Sequence, residues 1–250
     1  MEHQGRTAFI TGGARGLGFG FAKALAAEGA RIAIADIDAA EGERAAARLR
    51  ERGAEAIALA CDVANEESVD EAIVAAEAGL GGVDILINNA GLLTRHYSRD
   101  FSALPRADIR ACLDVNIMGV INCAVSARKS MARRGGGTIV NIASIAGYSV
   151  AGAYGLSKLA VRGLTISLAR EFAPDGIRVN GVAPGLMATD TVMADLPREM
   201  VDHFVNDLQL IKRQGQPQDI VDAVLFLCSS RAGFITGETI KVAGGFPLEV

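Results

Sequence analysis

The chain has 250 residues, half of them apolar and 22% charged, with a net charge of −4 and a pI near 5.5. That composition sustains a large buried core, is unlike a disordered chain, and argues against the basic surface that sequence-independent nucleic-acid binding needs. No uninterrupted apolar run approaches the roughly 18 residues of a membrane span, and the N-terminus lacks a signal-peptide layout, so the expected address is the cytoplasm.

In chain order, a β-branched run at 6–11 leads into a glycine-rich turn and an amphipathic helix at 19–28. Strand 31–36, helix 39–53, strand 55–61, helix 66–80 and strand 83–88 follow, each read from its period. A loop-rich stretch at 91–107 precedes strand 137–143, helix 152–172 and strand 177–182. A second loop-rich stretch, 184–200, precedes strand 238–242. Continuously apolar strands alternating with helices predict an α/β fold: a doubly wound Rossmann-type parallel sheet with helices on both faces. No linker or repeat divides the chain, so residues 1–250 read as a single domain. The four cysteines, 61, 112, 123 and 228, have no metal-ligand spacing and read as buried thiols; no metal site is expected.

The turn after the first strand reads Thr11-Gly12-Gly13-Ala14-Arg15-Gly16-Leu17-Gly18. Such glycines allow backbone N–H groups to approach a pyrophosphate at a helix N-terminus, though ordinary strand-to-helix turns give similar patterns. The second strand ends at Asp36, followed by Ile37. An acid there suits both hydroxyls of an adenosine ribose and repels a 2′-phosphate, which favours NAD over NADP. Arg15 pulls the other way, toward a phosphate, and Asp36 alternatively caps the helix that begins at Ala39.

Tyr154 and Lys158 lie one helical turn apart in helix 152–172, with Ser144 ten positions before the tyrosine. A cation beside a phenol favours the phenolate, and a neighbouring hydroxyl can bond the oxygen that exchanges the proton. On their own the pair also reads as an ordinary helix with one aromatic and one snorkelling lysine. Further motifs stand in order: Asp62-Val63 after the third strand, Asn88-Asn89-Ala90-Gly91 after the fourth, Asn116, and Pro184-Gly185 with Met187 and Thr189. Together with the glycine turn and Tyr154-x3-Lys158, these motifs resemble the short-chain dehydrogenase/reductase family over essentially the whole chain.

The resemblance implies that Tyr154 is the general acid/base, that Lys158 lowers its pKa and holds the nicotinamide ribose, and that Ser144 orients the substrate oxygen. It implies that Asn116 keeps a water in a relay ending at Lys158. Gly12, Arg15, Gly16, Leu17, Gly18, Asp36 and Ile37 then contact the dinucleotide. Asp62 and Val63 border the adenine, Asn89, Ala90 and Gly91 pass beneath the cofactor, and Pro184, Gly185, Met187 and Thr189 hold the nicotinamide end. A homotetramer also follows from the resemblance. Family members usually place the serine thirteen residues before the tyrosine, against ten here, so the 145–153 loop is shortened and the pocket reshaped. Ser149 is an alternative to Ser144.

The 184–212 segment offers Leu186, Met187, Met193, Leu196, Met200 and Phe204, either an apolar lid or ordinary helix core. Arginines 95, 99, 106 and 110 form either a solvated face or a patch for an anionic carrier. The leading expectation is an NAD-dependent enzyme interconverting a secondary alcohol and a ketone. The alternatives are a 3-oxoacyl-carrier reductase using NADPH and a catalytically silent dinucleotide-binding protein.

Overall fold

The computed structural model describes residues 1–93, 95–189 and 196–248. All seven expected strands form: β1 (Thr7–Thr11), β2 (Arg31–Asp36), β3 (Ala56–Ala60), β4 (Ile85–Asn88), β5 (Gly137–Ile142), β6 (Ile177–Pro184) and β7 (Thr239–Val242). They make one parallel sheet in the order β3-β2-β1-β4-β5-β6-β7. The chain winds outward from β1 to β3, then crosses back to β4 on the other side of β1. The carboxyl ends of β1 and β4 therefore flank the crevice where open α/β sheets take ligands.

Side chains alternate across the sheet. Ala8 and Ile10 of β1 face one apolar layer and Phe9 the other; Ile85 and Ile87 of β4 oppose Leu86 in the same way. One layer is closed by α1 (Gly16–Ala27), α2 (Ala39–Arg50) and α8 (Pro217–Cys228), through Phe21, Leu25, Leu49, Ile220 and Val224. The other is closed by α3 (Glu66–Leu80), α5 (Gly119–Arg133) and α7 (Gly152–Phe172), through Val69, Ile73, Cys123, Met131 and Phe172. The four cysteines are buried and free, and burial pushes the Cys61 and Cys228 thiols up to about 12.

Two elements differ from the sequence expectation. Helix α1 begins at Gly16, three residues early, because Gly12 and Gly16 adopt φ of +60° and +56° and complete the turn within the glycine motif. A helical run over 106–133, absent from the expectations, comprises α4 (Arg106–Leu113), a π turn (Asp114–Met118) and α5. By length and composition this run is apolar enough to cross a bilayer, although no single uninterrupted stretch suggested it. Its apolar side, including Val120, Cys123, Ala124, Ala127 and Met131, packs on the sheet.

Candidate active site

The glycine turn is held by its neighbours across the crevice. Thr11 Oγ1 accepts the backbone N–H groups of Asn89 (2.9 Å) and Ala90 (3.0 Å) and donates to Ile87 O. Asn89 Nδ2 in turn donates to Thr11 O (3.0 Å) and Gly12 O (3.1 Å). The β1 and β4 loops are thus tied together at the switch point. Gly18 is buried in this joint: a Cβ there would lie 2.1 Å from Gly12 O and 2.7 Å from Asn89 Nδ2. Gly16 is different, since a Cβ there would meet nothing within 4 Å and Gly16 lines the cleft. Helix α1 has no side-chain cap and no acid in its first turn, so its amide dipoles face the cleft without competition from a carboxylate. This cradle fits a pyrophosphate.

Asp36, at the end of β2, accepts Ala14 N–H and Asp38 N–H, both at 3.1 Å, one on each carboxylate oxygen. It is not the cap of α2. Asp38 is, accepting Glu41 N–H at 3.0 Å. Asp38 also pairs with Arg15 across exposed surface. Backbone N–H groups, with Arg15 next, hold the Asp38 carboxyl below its usual range.

The cleft, glycine turn included, encloses about 880 Å³, within the range of small-molecule sites. Ser144, Tyr154 and Lys158 line its far wall. The Ser144 hydroxyl stands near enough to the Tyr154 phenol to pull its pKa down, and Ser144 Oγ accepts Ala146 N–H at 3.1 Å. Ser149 instead donates to Ala146 O from an exposed position and does not line the cavity. Lys158 Nζ lies 5.8 Å from the Tyr154 ring centroid and donates to Ile142 O at 2.8 Å. The expected lowering of the phenol pKa is not what the structure gives. Burial pushes Tyr154 up to about 12, with the nearby Ser144 hydroxyl pulling the other way. Burial also pushes Lys158 down to about 8. Desolvation is the largest cause at both groups.

The remaining expected residues divide into two groups. Arg15, Leu17, Ile37, Ala90, Gly91, Pro184, Gly185, Met187 and Thr189 line the cleft with Gly12, Gly16, Asp36 and Asn89. Gly18, Asp62, Val63 and Asn116 do not. Asp62 shapes the turn before α3, accepting Ala64 N–H, while Asn65 caps that helix. Val63 packs beneath Gly119 and its carbonyl accepts Asn122 Nδ2. Asn116 sits in the π turn behind the wall, its amide grasping Leu92.

Five of the apolar lid candidates, Leu186, Met187, Leu196, Met200 and Phe204, do line the cavity; Met193 lies outside the described residues. Of the four arginines, only Arg95 lines it. The sequence reading did not single out Asp38, Leu93 or Ser98 on the wall, while Ile145 and Ala146 belong to the shortened loop expected to border the pocket. Asp38 carried a readable signal, an acid immediately before a helix start. Ser98 carried none. It reaches the cleft because the 3₁₀ turn Arg95–Ser98 is followed by backbone lying directly on Gly152, where a Cβ would meet Tyr97 O, Ser98 C and Arg99 O at 2.7–2.8 Å. The shortened segment before Tyr154 folds as α6 (Ala146–Ser149) and returns through Val150 at φ +55°, an unusual conformation for a β-branched residue.

A family model described as Enoyl-(Acyl carrier protein) reductase matches residues 12–247. A 3alpha-hydroxysteroid dehydrogenase of Mediterraneibacter gnavus is 36% identical over 98% of both chains. The 7alpha-hydroxysteroid dehydrogenase of Escherichia coli K12 is 33% identical, covering 98% of this chain and 95% of its own. A solved 7alpha-hydroxysteroid dehydrogenase complexed with NADH and 7-oxo glycochenodeoxycholic acid superposes with a TM-score of 0.91 at 33% identity, covering 97% of this chain and 94% of that one.

Proposed function

The chain belongs to the short-chain dehydrogenase/reductase family of oxidoreductases, and from that premise we propose that it interconverts a secondary alcohol and a ketone with NAD(H). The observation that carries this reading is that Ser144, Tyr154 and Lys158 line one cleft together with the glycine turn and Asp36. When bound, the dinucleotide supplies or accepts the hydride at its nicotinamide ring. Tyr154 moves the proton. Its phenol, kept protonated by burial, donates to the ketone oxygen during reduction, and Ser144 holds that oxygen in line. The phenolate left behind is balanced by the Lys158 ammonium; in oxidation the same groups run in reverse.

The choice of NAD rests on Asp36. Each carboxylate oxygen spends one lone pair on a backbone N–H and keeps another for a ribose hydroxyl, whereas a 2′-phosphate would meet like charge. The apolar wall of Leu186, Met187, Leu196, Met200 and Phe204 suits a bulky alicyclic alcohol of the kind named for the hydroxysteroid dehydrogenases. A reductase of carrier-bound acyl groups is the second reading, favoured by the family model's description and by the exposed Arg95, Arg99, Arg106 and Arg110. Exposed Leu156, Leu159 and Ile166 on α7 are the surface we assign to self-association in a homotetramer; a monomer in light scattering would refute that.

Initial rates with NADH and NADPH against a panel of oxosteroids and simple ketones test the reading. NADH is expected to be preferred by at least about tenfold. A clear NADPH preference would favour the carrier-reductase reading. Tyr154→Phe should lower turnover by about a thousandfold while the dissociation constant for NADH, read by fluorescence, changes by less than about threefold. Full turnover in that variant would remove Tyr154 from the chemistry.

A further inference from the structure

Ser157, the residue before Lys158, is fully buried and faces away from the cleft wall. Its hydroxyl donates to Tyr154 O at 2.7 Å. That bond uses its only proton, so toward any other partner Ser157 can only accept. The partner is Asn116 Nδ2, at 2.9 Å. The amide's other contacts all go to one residue or to a thiol: Oδ1 accepts Leu92 N–H at 2.7 Å, Nδ2 donates to Leu92 O at 3.1 Å, and Cys112 Sγ stands 3.6 Å away. With both amide hydrogens engaged by Leu92 O and Ser157 Oγ, the nitrogen faces Ser157 and the oxygen faces the Leu92 amide.

Leu92 follows Gly91, and Gly91 is the residue pressed between this amide and the lysine. A Cβ on Gly91 would lie 3.2 Å from Asn116 Oδ1 and 3.6 Å from Lys158 Nζ. The same asparagine that fixes Leu92 therefore sets how closely the loop after β4 covers the lysine. We propose that Ser157 is a positioning residue for the hydride-transfer site: by accepting from Asn116 it orients the amide, and the amide clamps the Gly91–Leu92 backbone over Lys158. Asn116 acts as a backbone clamp, with its amide hydrogens already committed to protein acceptors.

The inference rests on the oxidoreductase reading for its consequence in catalysis, but its structural core is measurable without a substrate. Amide hydrogen exchange of the full-length chain is compared for wild type, Ser157→Ala, Asn116→Ala and the double variant. Ser157→Ala should speed Leu92 N–H exchange by about tenfold, with Ala143 N–H, held by Val182 O, unchanged as the control for global opening. The double variant should exchange no faster at Leu92 than Asn116→Ala alone. With an oxosteroid and NADH, Ser157→Ala should lower kcat by about tenfold while changing the NADH KM by less than about twofold, and it should move the alkaline limb of the kcat–pH profile. Unchanged Leu92 exchange, or multiplicative effects in the double variant, overturns the proposal. Absence of hydride transfer in the wild type would overturn the alcohol–ketone reading instead, leaving the exchange result to decide the clamp.

Discussion

At the β1–α1 turn, recognition rests on backbone: bare amides, two left-handed glycines, and an Asn89–Thr11 pair whose hydrogen bonds all end on main chain. At the β5–α7 junction it rests on side chains, with buried Tyr154 and Lys158 and half-buried Ser144 fixed through Ile142 O and Ala146 N–H. The first arrangement joins two loops 78 positions apart and leaves no room for an added atom at Gly18. The second draws Ser144, Tyr154 and Lys158 from one stretch of chain, carries the cost of buried ionisable groups, and leaves room for its walls to vary. A ligand shared by many enzymes can be met by the first kind of site, and a substrate particular to one enzyme needs the second.

Steric intolerance of the backbone end is tested most severely by Gly18→Ala. The new Cβ would sit 2.1 Å from Gly12 O, so the turn must move and take Asn89 with it. We expect a loss of about 3 kcal/mol or more in urea denaturation, together with loss of NADH binding. Gly16→Ala is its counterpart, since only the φ of +56° opposes it and no atom lies within 4 Å; its cost should stay near 1 kcal/mol. Equal costs for the two would show that conformation, not close approach, governs the turn.

The opposite sign is expected at the catalytic wall. Lys158 loses its proton near pH 8 in the folded chain, while the unfolded lysine keeps it to about 10.5. Between those values the unfolded state binds more protons, so folding stability should rise as pH goes from about 8 to 10.5. Below pH 8 the buried ammonium costs about 3 kcal/mol. Lys158→Met removes that cost and also the bond to Ile142 O, so at pH 7 it should be more stable than wild type by about 1–2 kcal/mol, with the advantage fading by pH 10. Tyr154, held up to about 12, contributes the opposite slope only above about pH 10 and leaves the window clear. Urea midpoints of the two proteins at pH 7 and 10 decide the matter; an advantage of the variant over wild type no larger at pH 7 than at pH 10 would contradict the buried-charge account.

The contrast also explains what could be read in advance. The seven strands and the span of α7 followed from hydrophobic period, because sheet and helix impose it on every core position. The glycine turn, Asp36 and the Tyr154–Lys158 spacing were readable because backbone geometry fixes them within a few residues. The Asp38 partner of Arg15, the place of Ser98 on the wall and the Ser157–Asn116 bond were not, since each joins residues 23 to 54 positions apart through contacts that leave no period. The direction of the Tyr154 shift was misjudged for a related reason: burial depends on everything packed around a group, and neighbours in sequence report only its charges.

The smallest expected effect concerns the connection between α6 and α7, where the shortened loop turns. Val150 adopts φ +55° and donates its N–H to Ala146 O at 2.9 Å. Its carbonyl carbon lies against Gly155, where a Cβ would be 2.9 Å away. Ordinarily, replacing alanine by glycine costs about 0.5–1 kcal/mol through the entropy of the unfolded chain. In a left-handed position alanine carries a strain of about 1–2 kcal/mol that glycine avoids. Val150→Gly and Val150→Ala lose the same valine packing, so their difference isolates the backbone. Val150→Gly should be the more stable of the two by roughly 0.5–1 kcal/mol, seen as a higher urea midpoint at unchanged slope. If alanine proves equal or better, the left-handed turn is not how this chain closes its shortened loop, and the seating of the Arg95–Ser98 turn on Gly152 needs another cause.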